Sequence, residues 1–467
     1  MTTKKLIISP INGNDLYDIP LVSKNELDIA TQKAQKAFEV WSTKTLRERA
    51  QIFYRYRDLL SQSCEELALL IHQENGKTIP EARAEVEKAI EVTEFACSLP
   101  QIAVGEVSEV SHGIQCQMSY EPLGVVANIT PFNFPCMVPH WTLAITMVLG
   151  NTLIMKPSEK VPLTMIKIAE LLKNAGLPED VFQVLVGEKD LVESICDHPD
   201  IKAISFVGST KVAELVYRRA SQHLKRVLCL GGAKNHILVL PDAHPSMTAS
   251  NIAQSMTGCA GQRCMAASVM LGVGEIDPII TQLIDDAKKI RPGIELGAII
   301  SQSAKDRIEG FIQEAINEGA SLILDGRSPK VPGKEKGFYI GPTILDHVTP
   351  DMAIAKEEVF GPVLAIIRTT SIEEAIEIEN TSVYGNGASI FTQNGKLSSY
   401  VQSKLSSGMI GINIGVPVPR EPFSFGGWHD SKFGSGDITG KSSIHFWTQL
   451  KKTTTKWNPE DKKDWMS

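Results

Sequence analysis

The chain lacks an excess of positive charge, since 47 Lys and Arg residues stand against 54 Asp and Glu residues. Nucleic acids and anionic membranes are bound through clusters of basic residues, and a net charge of −7 supplies no such field. Charged residues are 22% and apolar residues 43% of the 467, which excludes a disordered chain, a collagen and a coiled coil. We expect a globular protein of about three domains with a small-molecule ligand.

Cysteine pairs of the kind that bind metals are also missing. The eight cysteines include no Cys-x-x-Cys pair and no zinc-finger spacing, so no metal site is predicted. The N-terminus carries no apolar signal region, which predicts free thiols in a reducing, cytoplasmic compartment. No charged residue lies between Glu121 and Lys156, but the prolines and asparagines there would leave polar groups unsatisfied in lipid. We interpret this stretch as buried core and expect no membrane partner.

A third absence is the Gly-x-Gly-x-x-Gly fingerprint, which follows no predicted strand. Residues 26–98 nevertheless have helical periodicity, and short apolar strands alternate with helices from residue 124 onward. This alternation is typical of parallel sheets covered by helices on both faces. Its interruption at Gly231-Gly232 predicts a domain boundary. The predicted strands are 124–130, 152–155, 181–186, 204–207, 227–230, 237–240 and 268–272, with others near 322, 363 and 412.

Two further segments, 110–120 and 449–457, alternate like exposed strands although they lie far apart in the chain. Strands with exposed edges seek partners. We therefore predict that the two segments pair with each other or with a partner subunit.

Five short segments, in order along nearly the whole chain, resemble the aldehyde dehydrogenase superfamily. They are Thr130-Pro-Phe-Asn133-Phe-Pro135, Lys156-Pro-Ser158-Glu159, Phe206-Val-Gly208-Ser209-Thr210, Gly261-Gln-Arg-Cys264 and Glu357-Glu358-Val-Phe360-Gly-Pro362. The resemblance implies an α/β fold with two parallel-sheet domains, a Rossmann-type NAD-binding domain (1–107 and 124–230) and a catalytic domain (231–445). It also implies a small β oligomerisation arm (108–123 and 446–467) and a homo-oligomer, either a dimer or a tetramer.

Cys264 is the candidate nucleophile. A thiolate attacks an aldehyde carbonyl to give a thiohemiacetal, whose collapse expels a hydride and leaves a thioester. A cysteine in an apolar setting is more often core filler, but the Gly-Gln-Arg-Cys context resembles the family's active-site loop. Asn133, placed between two prolines, resembles the family's oxyanion donor. From the residues alone, Asn133 is equally an N-cap of the helix that starts near Pro135.

The predicted cofactor is NAD. Lys156 and Glu159 follow a strand at the carboxyl edge of the sheet, where parallel sheets bind ligands. The resemblance implies that they hold the adenosine ribose, and the alternative is that they form an ion pair on the surface. A carboxylate at position 159 repels a 2′-phosphate, which favours NAD over NADP. Gly208-Ser209 opens a helix whose free N–H groups can face the pyrophosphate, although Ser209 is also a good N-cap. The resemblance places Glu358 at the nicotinamide ribose and Phe360 at the nicotinamide ring. The predicted cofactor residues are Thr130, Phe132, Lys156, Ser158, Glu159, Gly208, Ser209, Glu358 and Phe360.

One departure from the family pattern indicates the acyl acceptor. Most of the family has a Glu before Leu-Gly-Gly, the base that activates water against the thioester, where this chain has Cys229. Hydrolysis needs a general base within reach, whereas a thiol can arrive as thiolate, so coenzyme A is the expected co-substrate. Together with 232–236 and 384–387, this pattern resembles the CoA-acylating methylmalonate-semialdehyde dehydrogenase branch. The alternatives are a hydrolytic enzyme that uses Glu358 as base and a catalytically silent homologue.

That branch holds its substrate carboxylate with two arginines. Arg263 resembles the first, and the second falls on Lys88, or on Glu87 if the register slips by one. A lysine keeps the charge but loses the bidentate fork, and Arg420 is another candidate anion partner. The resemblance implies oxidation of methylmalonate or malonate semialdehyde to propionyl-CoA or acetyl-CoA with decarboxylation, and a place in valine catabolism.

Overall fold

The computed structural model of the chain describes residues 4–457, beginning with a hairpin and a layer of helices. Three of these helices begin at a capping box, in which Ser23, Thr45 or Thr78 pairs with a Glu three positions later. The second and third of these helices pack their apolar faces into one buried cluster, and the first contributes Leu27, Ala30 and Ala34 to another. All three are helical, as the periodicity of residues 26–98 predicts. The elements are β1 (Lys4–Ile8), β2 (Asp15–Pro20), α1 (Lys24–Trp41), α2 (Leu46–Gln62), α3 (Cys64–Asn75), α4 (Ile79–Cys97) and α5 (Leu99–Ile102).

Strands and helices alternate in the next part of the chain. The strands at its centre are buried along their whole length, because helices cover both faces of the sheet. The elements are β3 (Glu106–Ser111), β4 (Ile114–Pro122), β5 (Val125–Ile129), α6 (Met137–Val148), β6 (Thr152–Lys156), α7 (Leu163–Asn174), β7 (Phe182–Val184), α8 (Lys189–Asp197), β8 (Ile201–Val207), α9 (Thr210–Gln222) and β9 (Arg226–Leu230).

A second α/β unit follows, and the chain then returns to the first. Its elements are β10 (Asn235–Val239), α10 (Pro245–Thr257), β11 (Ala267–Val273), α11 (Asp277–Lys288), α12 (Gln302–Asn317), β12 (Ser321–Leu324), β13 (Thr343–Asp346), α13 (Ala353–Lys356), β14 (Val363–Thr369), α14 (Ile372–Asn380), β15 (Tyr384–Gly385), β16 (Gly387–Phe391), α15 (Gly395–Gln402), β17 (Met409–Ile412), β18 (Trp428–His429), β19 (Lys432–Phe433), α16 (Ser443–Trp447) and β20 (Thr448–Lys456).

Two mostly parallel sheets organise these elements. The first has the strand order β19-β9-β8-β5-β6-β7 and the second β12-β13-β14-β11-β10-β16-β17. Only β19 and β12, at the sheet edges, run antiparallel to their neighbours. The chain passes from the first sheet to the second between β9 and β10, where the alternation is interrupted. Each strand predicted between residues 124 and 272 is present, with bounds shifted by at most three residues.

The two exposed segments pair with each other. β20 lies antiparallel to β4, with Thr448 opposite Pro122 and Lys456 opposite Ile114, and β3 completes a three-stranded sheet. Residues 458–467 of the predicted oligomerisation strand lie outside the described residues. Within residues 4–457, no helix is both long and apolar enough to cross a membrane.

The range predicted for the catalytic domain, 231–445, includes one segment that the structure places elsewhere. β19 pairs with Cys229 and Leu230 of β9, so it extends the first sheet. Phe425, Ile438 and the residues of α16 pack into the cluster of the first unit as well. Antiparallel pairing over some 200 residues leaves no local signal in the sequence, which is why the predicted range assigned this segment to the catalytic domain.

Candidate active site

One large cavity opens where strands of the first sheet end. Its volume is about 1590 Å³, and it lies at the carboxyl ends of β5, β6 and β8, the edge at which parallel sheets bind ligands. Segments of the second unit close its other side. Eleven of the predicted site residues line it: Thr130, Phe132, Asn133, Lys156, Ser158, Glu159, Gly208, Ser209, Cys264, Glu358 and Phe360.

Cys264 reaches the cavity from the loop between α10 and β11. Two side-chain amides hold its backbone, because Asn235 Nδ2 and Asn386 Nδ2 donate to the Cys264 carbonyl at 2.7 and 3.0 Å. Burial, with a smaller contribution from the nearby Glu358 carboxylate, raises the pKa of the Cys264 thiol to about 12. The resting sulfur is therefore protonated at neutral pH, and attack on a carbonyl requires that its proton be accepted.

Asn133 is joined directly to the loop that carries Cys264. Its Nδ2 donates one N–H to the Gln262 carbonyl at 2.9 Å. The amide has a second N–H, which this bond does not use and which can donate to a ligand. Asn133 is not a helix cap, since α6 begins after Cys136 without a side-chain cap. The structure thus brings the predicted nucleophile and the predicted oxyanion donor onto two loops that share a hydrogen bond.

The segment around Glu358 is held in place by several backbone contacts. Glu358 Oε1 accepts from the Ala233 N–H at 3.0 Å, and Arg307 donates to the Glu358 and Val359 carbonyls at 3.1 and 2.7 Å. Burial raises the pKa of Glu358 to about 7. A Cβ at Gly232 would lie 2.4 Å from Glu358 Oε2, so a larger residue there would displace this carboxylate.

Aromatic rings line the cavity beside this carboxylate. The rings of Phe132 and Phe360 meet edge to face, with centroids 6.0 Å apart. Both rings line the cavity, so neither is enclosed in the apolar core. They give one part of the cavity wall an apolar surface.

Lys156 and Glu159 face the cavity rather than bulk solvent. Lys156 Nζ lies 3.3 Å from Glu159 Oε2, and Lys5 Nζ lies 3.7 Å from its other oxygen. Burial opposes ionisation of Glu159, but the Lys156 and Lys5 ammonium groups lower its pKa overall. Glu159 is therefore ionised at neutral pH, with its charge partly balanced.

The start of α9 offers free donors to the same cavity. Ser209 occupies the N-cap position but makes no side-chain cap hydrogen bond, so the first N–H groups of the helix have no side-chain acceptor from the cap. Ser209, Thr210 and Lys211 line the cavity. Such helix starts attract phosphate groups.

Cys229 does not face Cys264. Successive side chains of β9 point to opposite faces of the sheet, and Cys229 lies in the apolar cluster with Phe206 and Val216. Leu230 belongs instead to the cluster against which Cys264 packs. The expectation that Cys229 takes the place of the water-activating Glu is therefore wrong. The residue on the Cys264 side of β9 is the next one, Leu230.

The predicted ligands of the substrate carboxylate do not line the cavity. Lys88 Nζ contacts Glu421 at 2.8 Å and Glu91 at 3.0 Å, and Arg420 pairs with Glu91 on the surface. These contacts balance the charge of Lys88, which removes the reason for assigning it to a substrate anion. Arg263 Nη2 donates to the Gln254 and Ser255 carbonyls, while its buried Nε has no partner within residues 4–457.

Sequence reasoning missed the residues that fix the two loops. Asn235 and Asn386 lie inside segments that resemble the family, 232–236 and 384–387, yet their shared target, the Cys264 carbonyl, is invisible without the fold. Arg307 carried no signal at all. Within residues 4–457, no three His, Cys, Asp or Glu residues are grouped so as to hold a metal ion.

Known proteins of similar sequence and structure identify the family of the chain. The aldehyde dehydrogenase family model matches residues 2–453. The malonate-semialdehyde dehydrogenases of Halalkalibacterium halodurans and Bacillus velezensis are 41% and 42% identical, over 96% and 97% of this chain and 94% of each relative. The methylmalonate-semialdehyde dehydrogenase structure from Oceanimonas doudoroffii superposes with a TM-score of 0.96 at 39% identity, covering 98% of this chain and 96% of that one. A structure from Sinorhizobium meliloti in complex with NAD superposes with a TM-score of 0.96 at 38% identity, covering 99% of this chain and 96% of that one. The chain therefore belongs to the aldehyde dehydrogenase family.

Proposed function

We propose that this chain oxidises a short acidic semialdehyde with NAD and transfers the acyl group to coenzyme A. The observation that carries the proposal is that Cys264 and Asn133 meet in one dinucleotide-sized cavity, while β9 places Leu230, not a carboxylate, on the Cys264 side. The names of the relatives support malonate or methylmalonate semialdehyde as substrate. The products are then acetyl-CoA or propionyl-CoA and carbon dioxide.

The test is steady-state NADH formation with a panel of semialdehydes, each with and without coenzyme A. Malonate and methylmalonate semialdehyde are expected to be the best substrates, and turnover is expected to require coenzyme A. A faster reaction with an uncharged aldehyde of equal length would contradict the substrate class. Equal turnover without coenzyme A would contradict the acyl acceptor.

The residues of the cavity fit NAD. Thr130 Oγ1 is buried without a hydrogen-bond partner among the described residues and lines the cavity, so it is available to a ligand. The uncapped start of α9 suits a pyrophosphate, and Lys156 with Glu159 suits ribose hydroxyl groups. Phe132 and the segment from Glu358 to Phe360 would hold the nicotinamide riboside.

The chain's own groups account for the covalent steps. The Cys264 thiol gives its proton to solvent in the cavity, its sulfur attacks the aldehyde carbon, and the carbonyl electron pair moves onto the oxygen. The Asn133 amide stabilises this oxyanion, and such a donor is worth about 10²-fold or more in other enzymes. When bound, NAD would supply the acceptor for the hydride that leaves as the thiohemiacetal collapses. The remaining thioester on Cys264 carries a β-carboxylate, which leaves as carbon dioxide while its electron pair forms an enolate that takes up a proton at the α-carbon. The coenzyme A thiolate then attacks the thioester carbonyl and expels the Cys264 thiolate.

Hydrolysis of the thioester is the second candidate function, and one observation favours it. The pKa of Glu358, raised to about 7 by burial, suits a general base near neutral pH. Its contact with the Ala233 N–H and its place at the proposed nicotinamide ribose argue for a binding role instead. The comparison with and without coenzyme A separates the two functions.

Arg263→Gln is expected to raise KM for malonate semialdehyde about 10-fold or more while leaving propionaldehyde nearly unchanged. Arg263 precedes Cys264 directly, and its buried Nε has no partner within residues 4–457, so we expect this N–H to donate a charge-assisted hydrogen bond to the substrate carboxylate once the aldehyde is bound to Cys264; the variant loses that bond. Lys88→Gln is the control and is expected to change neither KM, because its charge is balanced by Glu421 and Glu91. Equal losses on both aldehydes would show that Arg263 only supports the loop of Cys264.

Glu159→Gln is expected to raise kcat/KM for NADP about 10-fold relative to NAD, since one repulsive charge beside the 2′-phosphate is removed. The parent enzyme is expected to prefer NAD. Glu170→Gln, an exposed carboxylate paired with Lys167, is the control. A parent enzyme that uses NADP as well as NAD would show that Lys156 outweighs Glu159.

We also propose a homo-oligomer, a dimer or a tetramer, that acts in the cytoplasm. The three-stranded sheet supports the first part, because β3 leaves Val107 and Val110 exposed by 64% and 57% on an unpaired edge. Eight free cysteines support the second. Sedimentation equilibrium of the parent chain and of Val107→Lys checks the oligomer, which the lysine is expected to weaken.

A further inference from the structure

Glu81, in the first turn of α4, makes a contact beyond its own helix. Its Oε2 closes a capping box with the backbone N–H and hydroxyl of Thr78, at 3.1 and 2.8 Å. Its Oε1 points away and accepts a hydrogen bond from the backbone N–H of Cys259 at 2.6 Å. One carboxylate thereby joins the start of α4 to a segment that lies just before Cys264, and Glu81 does not line the cavity.

The segment that Glu81 contacts has a left-handed backbone. Cys259 and Ala260 have φ angles of 55° and 54°, and Gly261 follows with 69°. This conformation is unfavourable for residues that carry a Cβ, and two in succession persist only where their surroundings hold them. At its far end the turn is fixed by packing, since a Cβ at Gly261 would lie 2.1 Å from the Gly361 carbonyl oxygen. At its near end the Glu81 carboxylate holds it.

The left-handed turn sets the direction in which the nucleophile loop leaves α10. The next residue, Gln262, accepts the Asn133 amide at its carbonyl, and Cys264 follows two positions later. A turn that relaxed toward right-handed geometry would rotate this carbonyl away from Asn133. The Cys264 sulfur and the Asn133 amide would then no longer face the same carbonyl group.

We infer that Glu81 is a positioning residue for the nucleophile: its second oxygen holds the left-handed turn that aligns Cys264 with Asn133. The inference rests on the proposed roles of Cys264 and Asn133. The chain supplies a matched control in Glu48, which forms the same capping box with Thr45 at 2.7 and 2.9 Å. Within residues 4–457, Glu48 makes no side-chain hydrogen bond outside that box.

The test compares Glu81→Gln with Glu48→Gln. A glutamine has a single side-chain acceptor oxygen, so it cannot serve the cap and Cys259 together. We expect Glu81→Gln to slow the first-turnover formation of NADH about 10-fold, because a misplacement of about 1 Å costs up to about 10²-fold. The NAD dissociation constant is expected to stay within about two-fold, since binding uses other residues. The fall in Tm is expected to exceed that of Glu48→Gln by only a few degrees, because the additional loss is one hydrogen bond. A first-turnover rate equal to that of Glu48→Gln would overturn the inference.

Two further variants keep the test decisive. Ala260→Gly in the Glu81→Gln background is expected to restore the rate at least about three-fold, because glycine adopts left-handed geometry without cost. No recovery would contradict the role assigned to the turn. Glu81→Asp keeps the charge in the first turn but is one methylene shorter, and it provides the same comparison if Glu81→Gln does not fold.

Alkylation of Cys264 by iodoacetamide separates this inference from the proposed function. Its rate in Glu81→Gln is expected to differ from the parent by more than about three-fold, because the sulfur changes position. Equal alkylation rates would contradict the positioning role. A parent enzyme that forms no NADH with any aldehyde would instead contradict the proposed function and leave the alkylation result to decide on Glu81.

Discussion

Cys264→Ala is expected to lower aldehyde-dependent NADH formation at least about 10⁴-fold, because of the two cysteines that line the cavity only Cys264 lies on the loop bonded to Asn133. The substitution removes one sulfur atom from a side chain that already reaches the cavity. The free energy of unfolding and the NAD dissociation constant are therefore expected to change little. Stopped-flow absorbance measures NADH formation, chemical denaturation measures the free energy of unfolding, and equilibrium titration measures the NAD dissociation constant.

Cys64→Ala is the control for this substitution. Cys64 is another half-buried free thiol, but it lies at the start of α3, away from the cavity lining. Its replacement is expected to leave turnover unchanged. Substantial turnover in Cys264→Ala would overturn the covalent mechanism, and a silent parent enzyme would favour the catalytically silent homologue.

Mixing the parent enzyme with NAD and malonate semialdehyde, without coenzyme A, is expected to give a burst of about one NADH per active site. A slow steady rate should follow, because the thioester on Cys264 has no dedicated base on β9 to activate water. Coenzyme A is expected to restore fast turnover with ping-pong kinetics, and the ratio of the two steady rates measures the preference for thiol over water.

Placing a carboxylate on β9 tests the reason for the burst. Leu230→Glu is expected to raise the steady rate without coenzyme A about 10-fold, since position 230 lies on the Cys264 side of the sheet. Cys229→Glu is the matched control, because position 229 lies in the opposite cluster. It is expected to destabilise the fold without raising that rate. Rapid steady turnover of the parent without coenzyme A would assign the base to Glu358 and favour hydrolysis.

The correction at Cys229 shows where sequence reasoning reached its limit. The missing carboxylate can be read from the chain, since 226–230 contains none. The face on which each residue lies follows from the strand register, and a shift of one residue moves every side chain to the other face. That register is fixed by pairing with β8 and β19, which the local sequence does not contain.

Lys88 illustrates a different limit. Its position in the chain resembles that of a ligand for the substrate carboxylate, but Glu421 contacts it from 333 residues away. A charge that is already paired gains little from a second anion, because both carboxylates compete for the same donors. Sequence alone identifies a cation and says nothing of the carboxylate that folding brings to it.

The sequence by itself determined the alternation of strands and helices, the passage between two sheets near residue 231, and the residues that gather at the cavity. These features follow from local periodicity and short motifs, which need only neighbouring residues. The tertiary structure alone decided which amides donate to the Cys264 carbonyl and which face of β9 lies toward Cys264. It also decided that Glu81 accepts a hydrogen bond from the turn that precedes Cys264. These contacts join residues separated by 29 to 178 positions, and only the packed fold brings such distant groups within hydrogen-bonding distance.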